Sequence, residues 1–220
     1  MKISLIAMVL LCLTTTISFA QEEAATKKSQ FGISMGLNFS EASIKTSDPL
    51  PLFYNSVETK GRPGFSLGIL YRYRLSDLLV LRAQGVISFT SHEFQYESDP
   101  FNDFSRNQEK VNLEFPLHLV FEKADKQIAP SVFVGCRYRY DVATEKDAPS
   151  AGSPEIPFFR EDDILVDVGL GVAFKMKTFT LKPELTYSRG VLNQAAEIDP
   201  VFDRMYTNQY SFRVSFYGGI

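Results

Sequence analysis

Few residues in this sequence have the types and spacing that side-chain catalysis requires. Histidine occurs only at His92 and His118. A hydroxyl, an imidazole and a carboxylate follow one another at Ser91, His92 and Glu93, which supplies the residue types of a nucleophile and its base. Neighbouring residues of a strand point to opposite faces, however, so adjacency in sequence does not orient His92 towards its neighbours. We therefore predict no catalytic residues.

The sequence also lacks the pattern of a metal or cofactor site. Two separated histidines and Cys136, the one cysteine beyond residue 20, do not have the spacing of metal ligands. The formal net charge of −3 and the sequence pI of about 5.5 argue against a nucleic-acid partner. We predict no metal, no cofactor, no nucleic-acid partner and no small-molecule substrate.

Charged residues instead recur at alternate positions of otherwise apolar segments. In "VNLEFPLHLVF", residues 111–121, Glu114, Pro116 and His118 alternate with leucine and phenylalanine. A period of two predicts β-strands with one apolar and one polar face. The pattern occurs in eight segments, namely residues 31–39, 64–74, 79–89, 111–121, 130–140, 166–175, 179–188 and 210–217.

The connections between these segments alternate in length. Residues 75–78, 122–127 and 176–178 are short, whereas residues 41–62, 91–109, 141–163 and 189–208 are long and polar. Short periplasmic turns and long extracellular loops are typical of outer-membrane barrels. We predict an all-β fold, an eight-stranded antiparallel up-and-down transmembrane β-barrel of the outer-membrane type. The alternative is a soluble lipocalin-like barrel or β-sandwich with an apolar interior, which would not need one-sided loop lengths.

The first twenty residues have the layout of a secretory signal peptide. Lys2 precedes a short apolar run, and Ser18, Phe19 and Ala20 form a small-x-small cleavage site. The predicted organisation is a signal peptide at residues 1–20, a periplasmic N-terminal segment at 21–29 and the barrel at 30–220. The predicted location is the cell outer membrane, as an integral protein in contact with its lipid, after Sec-type export and cleavage near Ala20 and Gln21.

The polar face of the strands predicts a charged lumen. An eight-stranded barrel encloses only enough space for side chains, so these charges predict an ionic plug more readily than a solute path. We expect Glu114 to pair with Arg213 or Arg82, and Pro116 to cause a bulge or local kink. We expect His118 to be a satisfied core residue that faces the lumen opposite the carboxylate side of the network. The predicted lumen network is Arg72, Arg82, Glu114, His118, Arg137, Arg139, Asp167, Lys182, Glu184 and Arg213, with Arg74 also facing inward.

The long connections carry apolar residues that the barrel does not use. Leu52, Phe53 and Tyr54 lie in the first connection, and Phe158 and Phe159 in the third. Clustered exposed aromatic residues mark interaction sites, so these five residues are candidates for docking a partner. The alternative is that they fold back over the barrel mouth as a cap.

Several segments resemble one family of outer-membrane barrels. The segments "VNLEFPLHLVFEK", "VGCRYRYDVATEKD", "DDILVDVGLGVAFKM" and "FTLKPELTYSRGVLN" are similar to the family that contains PorT and SprT. The segment from Tyr138 to Asp141 resembles PorT in particular. The resemblance implies a non-enzymatic outer-membrane component that the type IX secretion system requires for protein secretion, with other components of that system as partners.

Two other function classes stay open at this point. The first is a general outer-membrane barrel for adhesion or envelope integrity. The second is a lipid A-modifying barrel enzyme, for which His92 at the outer rim would be the candidate base. The leading expectation is the accessory or assembly component of type IX secretion.

Overall fold

The computed structural model describes residues 28–46, 56–97, 104–123, 126–142, 160–194 and 202–218. Among these residues, no helix is long and apolar enough to cross a membrane. The described residues form eight β-strands: β1 Ser29–Thr46, β2 Ser56–Arg74, β3 Leu79–Glu97, β4 Phe104–Glu122, β5 Ile128–Asp141, β6 Asp162–Lys175, β7 Phe179–Gly190 and β8 Phe202–Gly218.

Each strand pairs antiparallel with the next along the chain, and β1 pairs with β8. On β1, Gly36 lies opposite Ser66 of β2 and opposite Arg213 of β8. The sheet is therefore a closed barrel in which no strand edge is left open. The predicted eight-stranded antiparallel barrel is confirmed.

The alternation in sequence becomes an apolar outside and a polar inside. Outward-facing Phe31 and Ile69 are each 69% exposed, and Val132 is 58% exposed. The lumen-facing residues are buried and mostly polar or charged, with a small apolar cluster at Val80, Val120 and Phe133. Burial of charge and exposure of hydrocarbon is the reverse of a water-soluble domain.

The strands continue well into the segments that the sequence predicts as long connections. β1 extends to Thr46 and β3 to Glu97, and β4 begins at Phe104. The apolar alternation ends near Phe39, Phe89 and Val111 because polar residues predominate in the sequence beyond these positions. Strand pairing requires only backbone hydrogen bonds, so the strands extend beyond the segments in which apolar and polar residues alternate.

The bulge expected at Pro116 is absent. The β3–β4 ladder has no pair at Gln84 and Gly85 opposite Phe115 and Pro116, yet the register is the same on both sides of the gap. The β4–β5 ladder runs through Pro116 without interruption. Proline lacks the amide hydrogen that one neighbour would accept, so the ladder is lost on one side only and no residue is inserted.

Pro183 shows the same arrangement on β7. The β6–β7 ladder has no pair between Gly171 and Phe174, and its register also stays unchanged across the gap. The β7–β8 ladder passes through Pro183, which lies opposite Val214. Each proline thus interrupts one seam of the barrel at mid-height while leaving the other intact.

Candidate functional site in the barrel lumen

The structure places all ten ionisable side chains of the predicted network inside the barrel. Arg137, Lys182 and Asp167 have no exposed surface, and Arg139 is the most exposed of the ten at 7%. Arg74, at the end of β2, is half-buried rather than enclosed. We call the end of the barrel with short connections the turn end and the opposite end the loop end.

Five of these residues form what we call the ionic cluster: Glu114, His118, Arg137, Arg139 and Asp167. Arg137 is at its centre, with Nη1 2.8 Å from Glu114 Oε2 and Nη2 2.8 Å from Asp167 Oδ2. Arg139 Nε donates to Glu114 Oε1 at 3.2 Å. Each carboxylate therefore accepts from at least one guanidinium, which offsets the cost of removing both charges from water.

A second group lies nearer the turn end, and we call it the turn-end cluster: Arg72, Arg82, Glu122, Lys182 and Glu184. Arg82 Nη1 lies 2.6 Å from both oxygens of Glu184. Lys182 Nζ lies 2.8 Å from Glu122 Oε2, and Arg72 Nη2 lies 3.0 Å from the same oxygen. Arg72 also lies over the Tyr217 ring, 4.1 Å from its centroid.

His118 joins the two clusters. Arg82 Nη2 lies 2.9 Å from His118 Nδ1, and His118 Nε2 lies 2.8 Å from Asp167 Oδ2. Because a guanidinium can only donate, Nδ1 must accept, and Nε2 carries the hydrogen that is donated to Asp167. His118 is therefore bonded to a carboxylate, and the expectation that it lies opposite the carboxylates is wrong.

The expected pairing of Glu114 with Arg213 or Arg82 is also wrong. Glu114 lies directly opposite Arg139 across the β4–β5 ladder, and it pairs with Arg137 and Arg139. Ser88 donates to the same carboxylate at 2.8 Å from the other neighbouring strand. The partners thus come from the two strands adjacent to β4, and the pairing is decided by register.

Sequence reasoning missed several lumen residues. The sequence prediction places Glu122 in a short connection. In the structure Glu122 continues the inward-facing series of β4 and binds both Lys182 and Arg72. Gln84 and Gln209 are uncharged, so a search for charge does not find them. Gln209 is fully buried and accepts a short hydrogen bond from Arg139.

The opposite wall of the lumen is built from small side chains. We call it the small-residue wall: Ser34, Gly36 and Asn38 of β1, Ser66 and Gly68 of β2, and Ser215 of β8. A Cβ added to Gly36 would lie 2.9 Å from the backbone oxygen of Phe212, and one added to Gly68 would lie 2.8 Å from that of Gly85. Glycine is needed at both positions because the neighbouring backbones approach too closely for a side chain.

A small polar cavity lies at the loop end, above the ionic cluster. Its volume is about 20 Å³, enough for a water molecule. Arg139 and Asn112 contribute to its floor, and Arg160, Glu161 and Gln194 come from the segments beside β6 and β7. This is the size of a hydration site rather than of a substrate pocket.

The other sequence predictions fall largely outside the described residues. Leu52, Phe53, Tyr54, Phe158 and Phe159 all do, as does the segment predicted as a signal peptide. For His92 the structure describes the backbone within β3 but not the side chain. Within the described part of the chain, no group of three His, Cys, Asp or Glu side chains could hold a metal ion.

The arrangement of the lumen is that of a packed interior. Side chains from both walls are buried, including Asn38 at 1% exposure and Ser66 at 2%. A water-filled channel would leave such lumen-facing side chains in contact with solvent. Over the described residues, the barrel is closed by its own side chains.

Comparison with known proteins supports the fold. OprG, an outer membrane protein from Pseudomonas aeruginosa, aligns with a TM-score of 0.54 at 12% identity, over 89% of this chain and 98% of OprG. The outer membrane protein AlkL, solved in DMPC lipid bilayers, aligns with a TM-score of 0.51 at 14% identity, over 90% of this chain and 95% of AlkL. No protein-family model and no curated protein matches the chain. The fold and lumen define an outer-membrane-type β-barrel with a closed interior.

Proposed function

We propose that the protein spans the outer membrane as a closed, non-enzymatic barrel and serves type IX secretion as an accessory or assembly component. The membrane part of this proposal is supported by the outward face. Side chains such as Phe115, Leu170 and Leu185 are more than half exposed, and exposed hydrocarbon on this scale needs lipid around it.

Tyrosines border this apolar face at both ends. Tyr71 and Tyr73 face outward near the turn end, and Tyr138 and Tyr140 face outward near the loop end. Tyr140 also donates to Glu161 at 3.0 Å. Tyrosine has an apolar ring and a polar hydroxyl, so it suits the boundary between hydrocarbon and headgroups and fixes the height of a barrel in a bilayer.

The closed lumen is the observation on which the proposed class of function rests. Most buried charges are held in ion pairs across the lumen, which supports a barrel without an aqueous path for a solute and without a catalytic role for its described lumen residues. Action then falls to the rims, where the strands extend beyond the apolar face. A barrel of this kind serves as an anchor and docking platform, which suits an accessory role in secretion.

The secretion role itself rests on the sequence resemblance to the PorT and SprT family. The experiment that tests it is deletion of the gene in the source bacterium. We expect proteins with C-terminal secretion signals to disappear from the medium and to accumulate in the cell, while the mass spectrum of lipid A stays unchanged.

Two outcomes of the deletion contradict the proposal. Normal secretion with weakened envelope integrity or adhesion identifies a general barrel, and altered lipid A identifies an enzyme. Complementation with the wild-type gene is the control for effects on neighbouring genes. Planar-bilayer recordings of the purified barrel test the closed lumen separately, because a large and stable conductance would overturn it.

A further inference from the structure

Arg213 is the exception among the buried arginines of the lumen. It is 2% exposed, and its Nη1 donates to Gln84 Oε1 at 2.5 Å. Its Nε and Nη2 have no hydrogen-bond partner. Every other buried arginine lies within ion-pair distance of a carboxylate in the described structure, whereas Arg213 has none.

Three buried donors on β2, β3 and β8 are also without partners. The Gln84 side chain accepts from Arg213 through its oxygen, which leaves Nε2 of the same amide free beside the guanidinium. The hydroxyls of Ser66 and Ser215 have no partner either. Buried donors without acceptors are costly, so this concentration of them points to a missing acceptor.

The small-residue wall packs closely beside this site. The guanidinium of Arg213 reaches from β8 to Gln84 on β3 and so passes over β1 and β2, which lie between them in the sheet. At that height, a Cβ on Gly36 would lie 3.1 Å from Ser66 Oγ and 3.3 Å from Arg213 Cα. The absent side chain at Gly36 therefore brings the serine hydroxyl and the arginine backbone to the same place.

The interior of the barrel also carries an excess of positive charge. Among the described residues, the buried set holds seven Lys and Arg side chains and six Asp and Glu side chains. The interior thus carries one positive charge in excess when all of them are ionised. A buried charge without a counter-charge is strongly unfavourable, and the unpaired cation is Arg213.

We propose that a small monovalent anion, chloride under ordinary conditions, binds in the lumen at Arg213. Its ligands are Nε or Nη2 of Arg213 and Nε2 of Gln84, and the Ser66 and Ser215 hydroxyls are further donors without partners. A water molecule would accept these hydrogen bonds but would leave the excess charge. A halide both accepts from several donors and neutralises the guanidinium.

The test uses the full-length chain folded in detergent micelles. Thermal unfolding is followed while sodium chloride replaces sodium gluconate at constant ionic strength, because gluconate is too large for an enclosed site. We expect the melting temperature to rise with chloride along a saturable curve, by about 3–6 °C once chloride is about tenfold above its dissociation constant. Equal melting temperatures in the two salts would overturn the proposal.

Two variants locate the effect. Arg213→Gln is expected to abolish the chloride dependence, and Gln84→Leu, which keeps the arginine, to weaken it several-fold. Arg74→Gln removes a positive charge at the half-buried end of β2 and should keep the full dependence. If Arg213→Gln retains the wild-type response, the anion binds elsewhere and the assignment is wrong.

Crystals grown in sodium bromide give a readout that does not depend on stability. Anomalous scattering should show one bromide between Arg213 and Gln84. Ordered water at that position, with no anomalous peak, would overturn the proposal even if the melting temperature responds to chloride.

Discussion

The two walls of the lumen are built from different kinds of side chain. On β4, β5 and β6, long ionic side chains fill the space, and each charge of the ionic cluster meets an opposite charge. On β1 and β2, glycines and serines let the neighbouring backbones approach closely, and Arg213 of the adjacent strand β8 meets no carboxylate. Arg137 and Arg213 are therefore both buried arginines in one lumen, but only Arg137 is held by its neighbours.

The burial of a charged side chain therefore does not by itself determine how much that side chain stabilises the barrel. A buried charge stabilises the barrel only through partners that would themselves be left uncompensated without it. Substitutions on the two walls should thus have very different consequences, although the residues replaced are of the same type and depth.

The largest expected effect is that of Arg137→Met. It leaves Glu114 with Arg139 alone and removes two of the donors to Asp167, so we expect the free energy of unfolding to fall by about 3–5 kcal/mol. Denaturant titration of the barrel in lipid vesicles, followed by the heat-modifiable mobility of the folded form, measures the change.

Arg160→Met is the matched control for Arg137→Met. Arg160 is exposed and lies 3.6 Å from Asp162 in a surface ion pair, so its loss should cost less than about 1 kcal/mol. If the two arginine variants unfold together, the ionic cluster does not stabilise the barrel.

An intermediate effect is expected for Gly135→Ala. A Cβ at Gly135 would overlap the backbone oxygen of Leu117 and would lie 2.7 Å from His118 Cδ2, so both the β4 backbone and the imidazole must shift. Crowding of this kind costs about 1–3 kcal/mol. Gly85→Ala is the control, because its nearest neighbour would be Ile69 Cγ1 at 3.8 Å and the stability should stay within about 0.5 kcal/mol. Equal costs at the two positions would show that the close approach of β4 at Gly135 does not limit the stability of the barrel.

The smallest effect is expected for Arg213→Met in chloride-free buffer. No carboxylate loses its partner, the only bond removed is the one to Gln84, and a buried charge without a counter-charge is also removed, so the free energy of unfolding should not fall by more than about 1 kcal/mol. The same vesicle titration measures it beside Arg137→Met. A loss as large as that of Arg137→Met would mean that the walls do not differ as their contacts indicate.

The sequence was sufficient for the barrel and for the inward direction of its charged residues. Alternation along a strand settles which face a residue occupies, and this is why Glu114, Asp167 and Arg213 could be assigned to the lumen. Alternation does not settle which inward residues meet. Glu114 meets Arg139 because they are opposite in the β4–β5 register, and register depends on offsets that no single strand contains.

Two other features were beyond the sequence for related reasons. The strands continue past Phe39 and Phe89, where the regular apolar alternation of the barrel segments has stopped and no longer indicates a strand. At Pro116 the sequence shows that one backbone donor is missing, but not which neighbouring strand loses its ladder pairs. Which neighbouring strand loses its pairs depends on the hydrogen-bond pattern of the whole closed sheet.

The two proline gaps have a mechanical consequence. They interrupt the β3–β4 and β6–β7 seams at mid-height and thereby divide the barrel into a panel of three strands, β4 to β6, and a panel of five. All five members of the ionic cluster lie on the three-strand panel, which their ion pairs stiffen from within. Hydrogen bonds connect the two panels: one joins Arg82 to His118, and the other joins Lys182 to Glu122. Where the backbone ladder is interrupted, side-chain contacts across the lumen therefore hold the two panels together.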